Sequence, residues 1–219
     1  MESNNFYKPE DIDYEKIVPV YQEAFRGWPW YEQAKCADMS KVQRCQGGLS
    51  RLALGQTCGV CLNAVSLPAY EPAELIDRFT DIAATRPTRW YQEDIDQQTA
   101  VAALAWPTDA ARLAQEKYAD VDVMGEWMQR QLGRDEFVWL DEIFADKRVR
   151  ESGNLQNFKA IAEGFMDAFE RNTMAFRTIN PALVRAAERD FDPSVTVSRQ
   201  RLSQVPDRRD FVIIKREEM

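Results

Sequence analysis

The run Phe137-Val138-Trp139-Leu140-Asp141-Glu142-Ile143-Phe144-Ala145, continued by Asp146-Lys147-Arg148-Val149-Arg150-Glu151-Ser152-Gly153-Asn154-Leu155, decides how this chain is read. It predicts a strand, a polar turn and the start of a helix. The first N–H groups of a helix have no intrahelical partner, so a strand that runs straight into such a turn aims several donors at one place and suits an anion. A phosphate-bearing cofactor is therefore expected there. Side chains alternate along a strand, which predicts Asp141 and Glu142 on opposite faces, with at most one of them serving a cleft directly.

Downstream, Leu155, Phe158, Ile161, Ala162, Phe165, Met166 and Phe169 recur at helical spacing and predict a helix of about four turns from Asn154. Met174 to Ile179 follows as a short buried strand. Asn180-Pro181 then opens another helix, with asparagine as N-cap and proline at the first helical position. Phe211 to Lys215 closes the sheet. Upstream, Arg89-Trp90-Tyr91 and Thr99 to Trp106 read as two strands around a polar turn from Glu93 to Gln98. Residues 109 to 132 read as helical with a break near Ala119 to Val121, an excursion expected to lie beside a ligand or partner.

Nearer the start, Ile12, Ile17, Val20, Tyr21, Ala24 and Phe25 predict a first amphipathic helix over 12–26, stopped by Gly27-Trp28-Pro29-Trp30. Leu75, Ile76, Phe79 and Ile82 predict a second over Glu71 to Ala84. Trp28, Trp30 and Tyr31 have two readings, the aromatic wall of a substrate cleft or a plug at the edge of the core.

All four cysteines, Cys36, Cys45, Cys58 and Cys61, fall between those helices among Gly47, Gly48, Gly55 and Gly59. Clustered cysteines in a reducing compartment more often hold metal than form disulfides, and four thiolates complete a closed structural zinc site. Cys58-Gly-Val-Cys61 is a typical half-site, whereas Cys36 and Cys45 are more widely spaced than usual. Ordinary buried thiols and a redox pair stay open as alternatives. Residues 33–66 are thus expected to be a Cys-rich insertion in a single domain spanning 1–219.

With 219 residues, 45% hydrophobic and 29% charged, the chain suits one globular domain with a proper core. No apolar run is long enough for a membrane helix, and Met1-Glu2-Ser3-Asn4-Asn5 lacks the pattern of a secretory signal, so a cytoplasmic location is expected. The formal charge of −8 weighs against general nucleic-acid binding and favours cationic ligands. Basic residues gather from Arg185 onward. The absence of histidine excludes a Ser-His-Asp triad, a Cys-His pair and any His-ligated metal, leaving a carboxylate, amine, phenolate, thiolate or water chain as general base.

The order of elements resembles the GNAT superfamily of N-acetyltransferases, most specifically over Leu140 to Leu155. The family pattern there is a strand followed by Arg or Gln, two residues, Gly, one residue, and Gly or Ala. Arg150-Glu151-Ser152-Gly153-Asn154-Leu155 matches except at the bulkier Leu155. The resemblance implies a GNAT-like α+β fold, a mixed and mostly antiparallel sheet flanked by helices, with acetyl-CoA lying across splayed strands. It implies that backbone groups of Ile143, Phe144 and Ala145 pair with the pantetheine amides and that Asn180 contacts the pantetheine arm. N–H groups from Arg150, Glu151, Ser152, Gly153, Asn154 and Leu155 would hold the pyrophosphate. Pro29-Trp30-Tyr31-Glu32 after the first helix resembles the family's acceptor-site entry, which implies that Trp28, Trp30 and Tyr31 border the acceptor.

Acetyl transfer needs a base for the ammonium and a donor for the oxyanion. Glu142 is the favoured base, with Asp141 second, and the N–H near Phe144 is the expected donor; the other reading of Glu142 is a carboxylate paired with an arginine. The family's tyrosine, which protonates the leaving thiolate, has no counterpart in Asn180 to Arg189. The partners expected are a small-molecule or peptide amine and, for assembly, a second copy of the chain. Two other readings stay open: a non-catalytic acyl-CoA-binding regulatory module, and a zinc-ribbon-like interaction protein.

Overall fold

The computed structural model describes residues 5–26, 32, 34–36, 55–58, 66–118, 121–151, 158–191, 195–201 and 209–216. In chain order the elements are β1 (Phe6–Tyr7), α1 (Tyr14–Arg26), β2 (Ala34–Cys36), β3 (Ser66–Pro68), α2 (Pro72–Thr85), β4 (Arg89–Ile95) and β5 (Gln98–Thr108). They continue as α3 (Ala110–Lys117), α4 (Val121–Leu132), β6 (Phe137–Ala145), α5 (Lys147–Glu151), α6 (Phe158–Ala168), β7 (Thr173–Thr178), α7 (Pro181–Asp190), β8 (Val195–Arg201) and β9 (Asp210–Arg216).

Seven strands form one sheet in the order β1-β4-β5-β6-β7-β9-β8, and β2 pairs with β3 as a separate ribbon. Within the large sheet β6 and β7 run parallel, while the other neighbours are antiparallel. This is the GNAT-like α+β architecture that the resemblance implies. Three boundaries differ from the sequence reading. Glu93 to Ile95 continue β4, because Asp96 and Gln97 both adopt left-handed backbone angles (φ 52° and 65°) and complete a tight hairpin turn. The turn after β6 winds into the short helix α5. The sheet ends on β8 rather than on β9, which lies inside it.

Alternation along the strands sorts the core into two layers. Trp90, Leu104, Trp106, Trp139, Phe211 and Ile213 face α1, α2, α3 and α4, whereas Tyr91, Ala103, Val138, Leu140, Val212 and Ile214 face α6 and α7. Helix α1 buries Ile17, Val18, Tyr21, Ala24 and Phe25 against the first layer. Helix α6 buries Phe158, Ile161, Ala162, Phe165 and Met166 against the second, as its spacing predicts. No helix among the described residues is long and apolar enough to cross a membrane.

One close approach ties the first strand down. Gly164 of α6 lies under the ring of Phe6, and any Cβ there would overlap that ring. Phe6 in turn meets Tyr91 and Phe165 edge-on, at centroid distances of 5.3 and 5.1 Å. Alanine is the better helix former, by about 1 kcal/mol, yet here it overpacks a filled contact. Gly164→Ala should therefore cost about 1–3 kcal/mol and lower the melting temperature; an unchanged or raised melting temperature contradicts this packing.

Candidate active site

Strands β6 and β7 pair only at Val138↔Met174 and Trp139↔Ala175. Beyond that point they diverge. On its other edge β6 stays bonded to β5 down to Val101↔Ala145, so from Leu140 onward its β7-facing edge has no strand partner among the described residues. Direction can be read from the register. The N–H of Asp146 donates to the carbonyl of Ala100 on the β5 side, at 2.8 Å. Backbone polar groups alternate along a strand, so Phe144 also spends its N–H and C=O on β5, while Ile143 and Ala145 turn theirs toward the gap. Two of the three residues assigned to the pantetheine thus present backbone groups there; Phe144 does not, and the expected oxyanion donor shifts to its neighbours.

The gap opens into a cavity of about 320 Å³ bordered by α1, α2, β6, β7 and the start of α7. Its carboxylates arrive by a backbone irregularity. Leu104 is opposite Glu142 and Ala105 is opposite Leu140, so Asp141 is an extra residue in a β-bulge. A bulge reverses the alternation: Trp139 before it and Phe144 after it both belong to the core layer that α1 to α4 cover, although five positions separate them. Asp141 and Glu142 consequently point the same way. The expectation of opposite faces fails because strict alternation holds only in an unbulged strand.

Both carboxylates meet Arg78 of α2. Its Nη2 pairs with Glu142 and lies 3.4 Å from Asp141 Oδ2. Tyr21 of α1 donates its hydroxyl to Glu142 Oε1 at 3.2 Å and accepts from Arg78 Nη1 at 3.0 Å. Asp141 also pairs with Lys117 at the end of α3 and accepts from the Trp139 indole N–H at 2.8 Å. Two acids and two bases therefore close a local charge balance.

Their protonation follows the surroundings. Burial pushes the Asp141 carboxyl up, but Lys117, the Trp139 N–H and Arg78 outweigh it and hold it below the usual range. Burial raises Glu142, and Arg78 reverses this only in part because Asp141 adds repulsion. Burial and the nearby Glu142 charge likewise hold the Tyr21 phenol well above its usual value, so it stays protonated. The arginine-paired reading of Glu142 is thus the one its geometry shows.

At the mouth, Tyr70 hydrogen-bonds to the Glu32 carboxylate. Helix α1 fixes both. Tyr70 packs edge-on to Tyr21 and Phe25 at 5.1 and 5.7 Å, and its carbonyl accepts from Gln22 Nε2 at 2.6 Å. The Glu32 N–H donates to the Phe25 carbonyl at 2.8 Å. As site residues the sequence reading missed Tyr21, Tyr70, Arg78 and Lys117; Glu32 it placed at the acceptor entry, within Pro29-Trp30-Tyr31-Glu32. Arg78 left one signal, a charge on the stripe Leu75, Phe79 and Ile82 that the helix turns inward.

The turn after β6 is more self-satisfied than expected. The Asp146 carboxylate caps α5 by accepting the Val149 N–H at 3.0 Å, and its carbonyl takes the Arg150 N–H at 3.1 Å. Arg150 therefore has no backbone donor left for a phosphate, and its guanidinium pairs with Glu23 at 3.0 Å. The backbone of Glu151 ends α5, and Ser152, Gly153, Asn154 and Leu155 lie outside the described residues. So do Trp28, Trp30, Tyr31, Cys45 and Cys61. Cys36 and Cys58 are both buried, and no group of three metal-ligating side chains forms among the described residues.

Asn180 lies at the cavity and caps α7 as expected, its side-chain oxygen accepting the Ala182 N–H at 2.9 Å. Thr178 Oγ1 accepts the Asn180 N–H at 2.9 Å. Asn180→Ala should cost about 1 kcal/mol, whereas Asn180→Asp keeps the cap and most of the stability. Urea denaturation of the two variants checks this, and equal losses in both contradict the capping role.

The site is thus a cleft in a seven-stranded sheet parted between its one parallel pair, with an open backbone edge that leads to buried, ion-paired carboxylates. Among solved structures the chain is similar, at low identity, to several acetyltransferases. A histone acetyltransferase HPA2-related protein from Corynebacterium glutamicum is 13% identical over 98% of this chain and 97% of its own, with a TM-score of 0.47. Polyamine N-acetyltransferase from Drosophila melanogaster is 11% identical over 68% and 82%, with a TM-score of 0.44. A mutant of agmatine N-acetyltransferase is 9% identical over 66% and 82%, with a TM-score of 0.42. No protein-family model matches the chain, and no curated protein matches it either. At such identities no residue role passes from those proteins to this one.

Proposed function

We propose that this protein is an acetyl-CoA-dependent N-acetyltransferase that acetylates a primary amine of a small or peptidyl cationic acceptor. The observation that carries the reading is the parted β6–β7 pair with the backbone of Ile143 and Ala145 turned into the gap. A pantetheine arm carries two amides along an extended chain and suits such an edge, because it replaces the missing strand's hydrogen bonds. Asn180 and Thr178 border the same gap. The pyrophosphate would follow at 151–155, with the Arg150 guanidinium nearby.

A thioester carbonyl laid along β6 would find the Ile143 and Ala145 amides as preorganised donors for its oxyanion. Asp141 is spent on Lys117 and Trp139, and Glu142 on Arg78 and Tyr21. Their part is to fix the cavity's charge and shape. No tyrosine stands on α7, so the thiolate takes its proton from the acceptor nitrogen or from solvent.

Incubation of purified protein with acetyl-CoA and a panel of spermine, an aminoglycoside and a lysine peptide tests the reading by release of CoA thiol. Release above the amine-free rate with at least one amine is expected. No release with any of them, from protein that binds acetyl-CoA, favours the non-catalytic acyl-CoA-binding alternative.

A further inference from the structure

We infer that Glu32 and Tyr70 form the acceptor's receiving pair, in which Glu32 takes the proton from the incoming ammonium and Tyr70 holds that carboxylate in place. This rests on the acetyltransferase reading above. Among the described residues three carboxylates line the cavity, Glu32, Asp141 and Glu142. Asp141 and Glu142 each face a cation within ion-pair distance and a further donor. Among the described residues the Glu32 carboxylate has one hydrogen-bond partner, the Tyr70 hydroxyl, which engages Oε2. Oε1 is left to meet a ligand N–H. To take a proton Glu142 must give up its ion pair with Arg78, whereas Glu32, held by a single neutral hydroxyl, has no ion pair among the described residues to give up.

Placement agrees with the role. Glu32 and Tyr70 line the same cavity as Ile143 and Ala145 of the β6 edge, where the thioester would lie. Helix α1 clamps the pair through Tyr21, Gln22 and Phe25, so neither side chain needs ordering when the acceptor arrives. Burial raises the Glu32 carboxyl above its ordinary value, opposed by Tyr70 and Arg209, while Glu142 adds to the rise and Arg78 opposes it. A raised carboxylate is the better matched base for an ammonium.

The step balances as follows. Glu32 removes one proton from the ammonium, and the freed lone pair forms the C–N bond at the thioester carbonyl carbon. The C–S bond breaks with its electron pair on sulfur. The second nitrogen proton passes to the thiolate, giving the amide and CoA thiol, and Glu32 returns its proton to solvent.

The test compares wild type, Glu32→Gln and Tyr70→Phe by thiol release against pH with the spermine, aminoglycoside and lysine-peptide panel, alongside calorimetric binding of acetyl-CoA. Expected results are a loss of about 10²- to 10⁴-fold in kcat/KM for Glu32→Gln, with the acid limb of the pH profile removed. Acetyl-CoA affinity should stay within a few-fold. In Tyr70→Phe the acid limb should move to higher pH, because the hydrogen bond that holds Glu32 down is gone. Turnover by Glu32→Gln within a few-fold of wild type, or loss of acetyl-CoA binding in it, overturns the pair alone. A wild type that binds acetyl-CoA yet acetylates nothing, or does not bind it, overturns the transferase reading and the pair with it.

Discussion

Arg78→Met should destabilise the protein by about 3 kcal/mol at neutral pH, and the loss should shrink as the pH is lowered. The side chain of Arg78 is 38% exposed, but those of its partners Asp141 and Glu142 are only 4% and 12% exposed. The penalty therefore falls on the acids left behind, not on the base removed. Breaking a buried ion pair from one side costs about 3–5 kcal/mol, and the exposure of Arg78 sets the lower end. Glu142 fixes the sign with pH. Burial holds its folded carboxyl above the unfolded value against Arg78, and removing the guanidinium raises it further. A carboxylate raised on folding favours the folded state when protonated, so the variant's deficit is smallest near the unfolded value and grows as pH rises through the folded one. Urea denaturation at pH 5 and pH 8 measures this; a loss below about 1 kcal/mol, or one independent of pH, contradicts the network.

Asp141→Asn should cost a similar amount at neutral pH and also lose its deficit in acid, but through a carboxyl held low rather than high. Asp141 is held below its usual range by Lys117, the Trp139 N–H and Arg78 against burial. Its contribution is present above the unfolded carboxyl value, near 3.9, and is lost as pH falls through the lower folded value. The amide still accepts from Trp139 but leaves Lys117 without its anion. We expect a loss of about 2–3 kcal/mol at pH 7, converging on wild type in strong acid. A deficit that persists unchanged at low pH would mean that packing, not charge, anchors this residue. The carboxyls of the two adjacent acids thus shift in opposite directions, which follows from Lys117 sitting on one of them.

Much of the architecture is legible from local pattern. The periodicity of Phe158 to Met166 and of Ile17 to Phe25 marks α6 and α1, and the Asn180-Pro181 pair marks the start of α7 with its cap bond. Strand β6 has the bounds that its apolar run predicts. Locating the cavity at the end of β6 was also within reach, because strand, turn and helix order placed it there.

The arrangement of the acids was not legible. A bulge is a property of two strands in register, and no residue near Asp141 announces that Ala105 pairs with Leu140 while Leu104 pairs with Glu142. Arg78, Lys117 and Tyr21 reach Asp141 and Glu142 from helices 24 to 121 residues away in sequence. Such contacts arise from topology rather than spacing. The Arg150 amide looked available from sequence because a helix start suggests open donors; the backbone carbonyl of Asp146 takes its N–H, while the Asp146 side chain takes that of Val149. Glu32 stood in the acceptor-entry phrase Pro29-Trp30-Tyr31-Glu32, but nothing in the spacing joins it to Tyr70, which is 38 residues further along.

Amide hydrogen exchange with and without acetyl-CoA addresses the central claim, that the open edge of β6 receives an acyl-CoA. Saturating acetyl-CoA should slow exchange in peptides covering 140–145, where the Ile143 and Ala145 amides face the gap, and leave the already paired β4–β5 hairpin unchanged. Exchange over 140–145 that does not respond to acetyl-CoA would contradict the account.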